Sequence, residues 1–451
     1  MQFWDKILQT ADDPRRLFIE GTSYWVGDDK VLDGTPRGFG GRKFTIIRKD
    51  GHLIETTNLW TQGEVPSEYR QILKDNAAFV EGIVYCDSAA TTKPLPEVMD
   101  AMKPYFYDRW YNPSSLYMPA MQVKKDIEKV KETIAEYINA EPDEIYFTSG
   151  GCEGNSWALQ GTDCKHIYIS RLEHKSIINL TEHPSDCGFY YRSFFYNDKR
   201  GHVIVDPDAI SNFNINTLAS VQYANNEIGT IQDIKSIAGL AQSKGWLFHT
   251  DAVQAFGQIP IDVKQIGMDM MTVSGHKFGC PKGIGFLYIK RGTPIHPLIY
   301  GTQNNGIRGG TENVPYIIGL GKAVELLQKK DIKTMTTYRD KLIDALISDG
   351  FTINGAIHNR LSNNISATIP LHYHIPAETM ILALANRGVF VSAGSACNSH
   401  GTEPSHVLTA IGLSKEQADS TIRISLPDNI QQKDITRIIF EIRRNIELFK
   451  S

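Results

Sequence analysis

From about residue 83 the chain alternates between short apolar runs and segments with apolar residues at helical spacing. No other feature restricts its fold as much. Residues 83–86, 144–148, 166–170, 218–223, 246–250, 270–273 and 285–289 are apolar runs too short for helices, and they are predicted as strands. Between them, Val123, Ile127, Val130, Ile134 and Ile138 recur every three to four residues, the spacing of an amphipathic helix. Residues 234–244 form another helix, closed by Gly245. Such alternation predicts an α/β fold, a large and mainly parallel sheet with helices on both faces. Ligands in that architecture bind beyond the carboxyl ends of the strands.

A long helical stretch over 314–346 is predicted to leave this sheet. The pattern then restarts at 364–369, 377–386, 389–391, 421–426 and 433–449, the mark of a smaller C-terminal α/β domain. Residues 1–80 stand apart. There 44–48 and 53–57 flank Lys49-Asp50-Gly51-His52, a strong hairpin signal, and two neighbouring helical segments make this a small N-terminal α+β module. Its Trp4, Trp25 and Trp60 read as a core or a docking face. The expected domains are thus 1–80, 81–335 and 336–451.

The 451 residues include 41% hydrophobic and 22% charged ones, an ordinary globular balance. A formal net charge of −4 gives no overall attraction to nucleic acid or to anionic membrane. Arg37, Arg42, Lys43, Arg48 and Lys49 of the N-terminal module are a local basic group, read as a solvated face or, alternatively, a nucleic-acid contact. No apolar run reaches bilayer length, and the start has neither the basic nor the apolar region of a secretory signal. Six scattered cysteines without a Cys-x-x-Cys pair suit neither a disulfide framework nor a metal site; they fit a reducing, cytoplasmic setting.

Candidate chemistry gathers at strand ends. Ser274-Gly275-His276-Lys277 follows an apolar run, so Lys277 either snorkels to water or, partly buried, serves as a Schiff-base amine. Thr148-Ser149-Gly150-Gly151-Cys152-Glu153 joins a strand to a helix; it is a plain turn or an anion cradle built from backbone N–H groups. Asp251 among apolar neighbours needs a helix to cap or a cationic partner, for which a pyridinium nitrogen would serve. His174 in Glu173-His174-Lys175 reads as a cap, or as an imidazole stacked on a cofactor and free to move protons. Gln222-Tyr223-Ala224-Asn225-Asn226-Glu227-Ile228-Gly229 either supplies amide side chains at a strand end or is simply a turn. Cys397 differs from the other cysteines because Ser, Ala, Asn, Gly and His surround it, as expected of a thiol on a mobile loop. Arg423, a charge in an apolar strand, wants a carboxylate, internal or from a substrate.

Taken in order, these segments closely resemble the cysteine desulfurases, pyridoxal-phosphate enzymes of the class V aminotransferase superfamily, from about Tyr85 to near the C-terminus. The resemblance rests on Asp87-Ser88-Ala89-Ala90-Thr91-Thr92, Asn112-Pro113-Ser114-Ser115, Phe147-Thr148-Ser149-Gly150, Glu173-His174-Lys175, Asn225 to Gly229, Asp251 with Gln254, Ser274 to Lys277, Arg308 to Asn313, Gly394-Ser395-Ala396-Cys397 and Arg423. The run from Ser395 through Glu403-Pro404-Ser405 resembles the long catalytic loop of the group I branch.

The resemblance implies a fold-type I architecture. Lys277 would hold pyridoxal 5'-phosphate as a Schiff base, Asp251 pair with the ring nitrogen, His174 stack on the ring, and Asn226 and Gln254 meet the ring hydroxyl. Gly151, Cys152, Ser274 and His276 would line the phosphate, and Thr311 reach the phosphate of a partner subunit in a homodimer. Arg423 and Asn226 would grip the carboxylate of L-cysteine. Lys277, Cys397 and His174 would be catalytic, leaving alanine and a persulfide on Cys397 for a sulfur-acceptor protein. Iron–sulfur cluster assembly, tRNA thiolation and DNA sulfur modification all draw on this chemistry. A selenocysteine lyase and an aminotransferase are the neighbouring readings, and a non-enzymatic scaffold the remote one. Cys152 stands where the family usually carries Thr, Gln303-Asn304-Asn305 replaces Gln-Glu-Arg, and Leu426-Pro427-Asp428-Asn429 replaces a common Leu-Gly-Arg.

Overall fold

The computed structural model describes four strands between residues 23 and 56, and residues 82–182, 188–207, 215–394 and 403–450. The chain divides into two compact units, Met1–Val84 with Asn386–Gly388, and Tyr85–Ala385 with Val389–Ser451.

In the first unit, β1 (Ser23–Val26), β2 (Asp29–Asp33), β3 (Phe44–Ile47) and β4 (Leu53–Thr56) form an antiparallel meander in that order. The hairpin expected from Asp50-Gly51 is present as β3 and β4, with Ile46 opposite Ile54. Trp25 lies on β1. The helices expected there, Trp4 and Trp60, and the five basic residues named above lie outside the described residues.

β5 (Val84–Tyr85) leads into the second unit. Its large sheet runs β6 (Ile145–Thr148), β12 (Gly285–Ile289), β11 (Met270–Ser274), β10 (Leu247–Asp251), β9 (Thr217–Ser220), β7 (His166–Ser170) and β8 (Tyr191–Phe195). Four of the six pairings are parallel; only β12 opposes its neighbours, β6 and β11. The link from β11 to β12 is too short to carry a crossover helix, so the chain must return antiparallel. Every residue of β7, β9, β11 and β12 is buried, as a sheet covered on both faces requires.

The expected amphipathic helix is α2 (Met118–Ile138), which follows α1 (Pro96–Met102) and buries all five periodic residues. Two further helices, α3 (Gly151–Gln160) and α4 (Lys175–Glu182), follow β6 and β7, and α5 (Ile234–Ser243) precedes β10. The helical stretch predicted over 314–346 is two helices, α6 (Val314–Leu327) and α7 (Ile332–Ser348). The break falls at Asp331, whose side chain caps α7 by accepting from the Thr334 N–H. Gly321 of α6 meets α2 closely, since a Cβ there would sit 2.7 Å from Val130. Apolar runs misjudge two strands. The predicted 218–223 strand ends at Ser220, and β8, an edge strand with an exposed tyrosine and an arginine, lacks the apolar continuity that marked the others.

A second sheet, antiparallel, runs β13 (Thr352–Ile353), β14 (Asn364–Thr368), β17 (Thr421–Ser425) and β16 (Ser392–Ala393). The same unit carries α8 (Ala377–Ala385), β15 (Val389–Phe390), α9 (His406–Ala410) and α10 (Gln432–Lys450). No helix among the described residues is long and apolar enough to cross a membrane.

Candidate active site

The carboxyl ends of β6, β10 and β11 bring three of the predicted motifs together. β6 ends at Thr148, and α3 begins at Gly151 after one turn. Gly150 takes φ +149°, where a side chain would strain the backbone. A Cβ on Gly150 would stand 3.4 Å from Ser274 Oγ, and one on Gly151 only 3.0 Å from Val253. The glycines therefore keep the helix N-terminus open beside Ser274, with the first N–H groups of α3 lacking intrahelical acceptors. Glu153 closes the turn from outside, accepting from the Ser149 N–H at 2.6 Å and from Arg308 Nη2 at 2.9 Å.

β11 ends at buried Ser274 and passes into a single helical turn, Gly275–Lys277. This turn places Lys277 against the loop at 87–92, where its Nζ donates to the carbonyls of Ala89 (2.6 Å) and Ala90 (2.9 Å). The same loop holds His276, whose Nδ1 lies 3.1 Å from Thr91 Oγ1. Burial, with Lys277 and Lys282 adding repulsion, pulls the His276 imidazole down to about 4, so it is neutral at neutral pH. Gln254 Nε2 donates to Ala89 O as well, at 3.0 Å.

At the end of β10, buried Asp251 accepts from the Val253 N–H at 2.9 Å and from Asn155 Nδ2 at 2.8 Å. The other Asn155 amide proton goes to Ser176 Oγ at 2.9 Å, and Ser176 Oγ lies 2.8 Å from His174 Nδ1. The Ser176 N–H also donates to that Nδ1, at 3.1 Å. With Nδ1 an acceptor, the proton of neutral His174 sits on Nε2. Burial lowers the His174 pKa, Asp251 opposing and Lys277 assisting. Sequence reasoning missed Asn155 and Ser176. The available signal was spacing: Asn155 lies one helical turn past Gly151, and Ser176 two residues past His174.

Glu173, beside His174, is a fully buried carboxyl that Ser170 Oγ and the Gln222 N–H both contact. Burial pushes it up to about 8. Asn225, not Asn226, builds the turn expected here, with Oδ1 accepting from the N–H groups of Glu227 and Ile228. The Asn226 carbonyl accepts from Arg423 Nη1 (3.2 Å) and Asn364 Nδ2 (3.1 Å). Arg423 is buried on β17 and finds an internal carboxylate, Asp87, at 2.8 Å.

Cys152 is exposed at the start of α3, and Thr311 is exposed on the loop after Arg308. Cys397 lies outside the described residues, as does Cys187. Cys86, Cys164 and Cys280 are buried. Burial raises all three thiols, Cys164 to about 11 and Cys280 to about 12, so none of them is a thiolate at neutral pH.

Residues 84–438 match the family model described as Aminotransferase class-V. The cysteine desulfurase IscS of Methanosarcina thermophila is 40% identical over 378 residues, which cover 81% of this chain and 92% of that protein. The one from Dictyoglomus turgidum is 41% identical over 383 residues, covering 82% and 95%. Among solved structures, a NifS-like protein aligns with TM-score 0.74 at 30% identity, covering 81% of this chain and 100% of that one. SspA in complex with cysteine aligns with TM-score 0.68 at 35% identity, covering 76% and 99%.

Proposed function

The chain belongs to the class-V aminotransferase family and, within it, to the group I cysteine desulfurases, and we propose that Lys277, His174, Arg423 and Cys397 carry its reaction. The activity is the conversion of L-cysteine to L-alanine with transfer of the sulfur as a persulfide, and it depends on pyridoxal 5'-phosphate.

The residues present fit that group. The Gly150–Gly151 turn leaves room that a Cβ would fill, next to a helix N-terminus and Ser274, which suits a phosphate. Asp251 meets an amide and a backbone N–H, and so can still take a protonated ring nitrogen. We assign the phosphate to Gly151, Cys152, Ser274 and His276, the ring to His174, Asn226, Gln254 and Asp251, and the covalent link to Lys277. When bound, the cofactor supplies an electron sink for the charge left as the Cα proton departs.

The chain's own residues do the rest. Arg423 and Asn226 hold the substrate carboxylate. Lys277 Nζ, poised beside the Ala89 and Ala90 carbonyls, moves the proton at Cα. The thiolate of Cys397 attacks the substrate sulfur: an S–S bond forms, the C–S bond breaks, and alanine leaves. His174 beside the ring assists the proton transfers that complete alanine. Cys397 then passes its terminal sulfur to an acceptor protein.

The observation that carries this assignment is the meeting of Lys277, Asp251, His174 and the Gly150–Gly151 turn from four separate stretches of chain. Replacing Cys397 with Ala tests it: alanine production should stop while the cofactor's absorbance remains. Sustained turnover in that variant would refute the assignment.

We read the functional unit as a homodimer in which Thr311 reaches the partner's phosphate. Exposed Phe106, Tyr107, Trp110, Leu116 and Met118 supply the apolar surface such contact needs. Residues 1–80 form an accessory domain, 81–335 the cofactor domain and 336–451 the cysteine-loop domain. We assign the docking of the sulfur acceptor to the first, since the family match begins only at residue 84.

A further inference from the structure

We propose that Asp87 is a positioning residue that turns Arg423 so that one edge of its guanidinium is reserved for the substrate carboxylate. This rests on the assignment of Arg423 to that carboxylate. The guanidinium has five N–H donors in a rigid plane, paired along two edges, Nε with Nη2 and Nη1 with Nη2. Nε donates to Ser392 Oγ at 3.1 Å, and Nη2 donates to Asp87 Oδ1 at 2.8 Å. Ser392 Oγ in turn donates to the same Asp87 oxygen, at 2.8 Å. These three groups close the Nε edge completely.

The other edge is held weakly. Among the described residues Nη1 reaches only backbone carbonyls, Asn226 O at 3.2 Å and Gly394 O at 3.4 Å, and one Nη2 proton has no partner there. A carboxylate arriving there gains two parallel N–H donors in exchange for long contacts to neutral carbonyls. With its side chain 1% exposed, Arg423 also needs a permanent anion between turnovers, and Asp87 supplies it without occupying the receiving edge.

The position of Asp87 is itself fixed by backbone bonding to β17. The Ser425 N–H donates to Cys86 O at 2.8 Å, and the Ser88 N–H to Ser425 O at 3.1 Å. The Ala89 N–H donates to Ser425 Oγ at 2.9 Å. Two residues farther on, the same loop offers the carbonyls that hold Lys277 Nζ. One short loop thus sets both the carboxylate anchor and the amine that works at Cα.

The test uses the cofactor-loaded enzyme. L-Alanine and L-alaninamide, which differ in the carboxylate, are titrated by the change in cofactor absorbance, and kcat and KM for cysteine are measured alongside. Asp87→Ala should raise KM at least tenfold with kcat within about threefold, and should abolish the preference for alanine over alaninamide. Asp87→Asn, which keeps an acceptor oxygen, should restore most of both. Ser392→Ala should show an intermediate loss, and it serves if Asp87→Ala does not fold. Arg423→Lys separates the two layers. If it loses the preference while Asp87→Ala keeps it, the role of Asp87 is refuted and the carboxylate assignment stands. If Arg423→Lys keeps the preference, that assignment fails and the proposal falls with it.

Discussion

Replacing Glu173 with Gln should make the protein's stability less dependent on pH, and the size of the effect follows from the burial of that carboxyl. Its ordinary value is 4.5, and in the folded chain burial raises it to about 8, the Asp251 charge adding and hydrogen bonds from Ser170 and Gln222 opposing. Between those values the folded chain keeps a proton that the unfolded chain has released. Stability must then fall as pH rises, by up to about 1.4 kcal/mol per unit. From pH 6 to 7.5 this amounts to about 2 kcal/mol. The substituted glutamine would be neutral throughout, with an oxygen for the Gln222 N–H and an amide for Ser170. At ~2.1 cal/mol/K per residue, a folded body of about 370 residues converts 2 kcal/mol into roughly 2 to 3 °C. Thermal melts of both proteins from pH 5.5 to 8.5 should therefore diverge, the variant gaining relative to wild type as pH rises. Parallel curves would show that the Glu173 carboxyl is ionised in the folded state, and the desolvation argument would be wrong.

Two other substitutions test the frame of the site. Lys277→Ala should yield a protein that loses the cofactor's visible absorbance on gel filtration; retention at wild-type level would remove Lys277 as the covalent anchor. Trp157→Ala should cost about 3–5 kcal/mol, read by denaturant unfolding, because it empties a fully buried site on α3 and leaves the His296 carbonyl without its indole donor. A loss below about 1 kcal/mol would mean that the neighbouring helix and β6 collapse into the gap.

Periodicity was enough for the α/β alternation, since a helix buries every third or fourth residue and a covered strand buries every one. It failed where local pattern and tertiary role part. Leu326 to Ile332 keeps a helical composition, yet an aspartate cap divides it. β8 carries polar side chains because it lies at a sheet edge. Lys277, Asp251 and His174 stood out as candidates for a common reason: each is a polar group at or just past the end of an apolar run, the side of an α/β sheet where ligands bind.

What the amino-acid order determined by itself is the family, through its ordered motifs, and with it the candidate residues and their chemistry. Which of those residues touch was decided by the tertiary structure alone. Asn155 reaches Asp251 across 96 residues of chain, and Arg423 reaches Asp87 across 336. Contacts at such separations are set by sheet register and by backbone bonding between β17 and the loop after β5. No local spacing encodes them, so the contacts of one loop with both Arg423 and Lys277 become visible only in the fold.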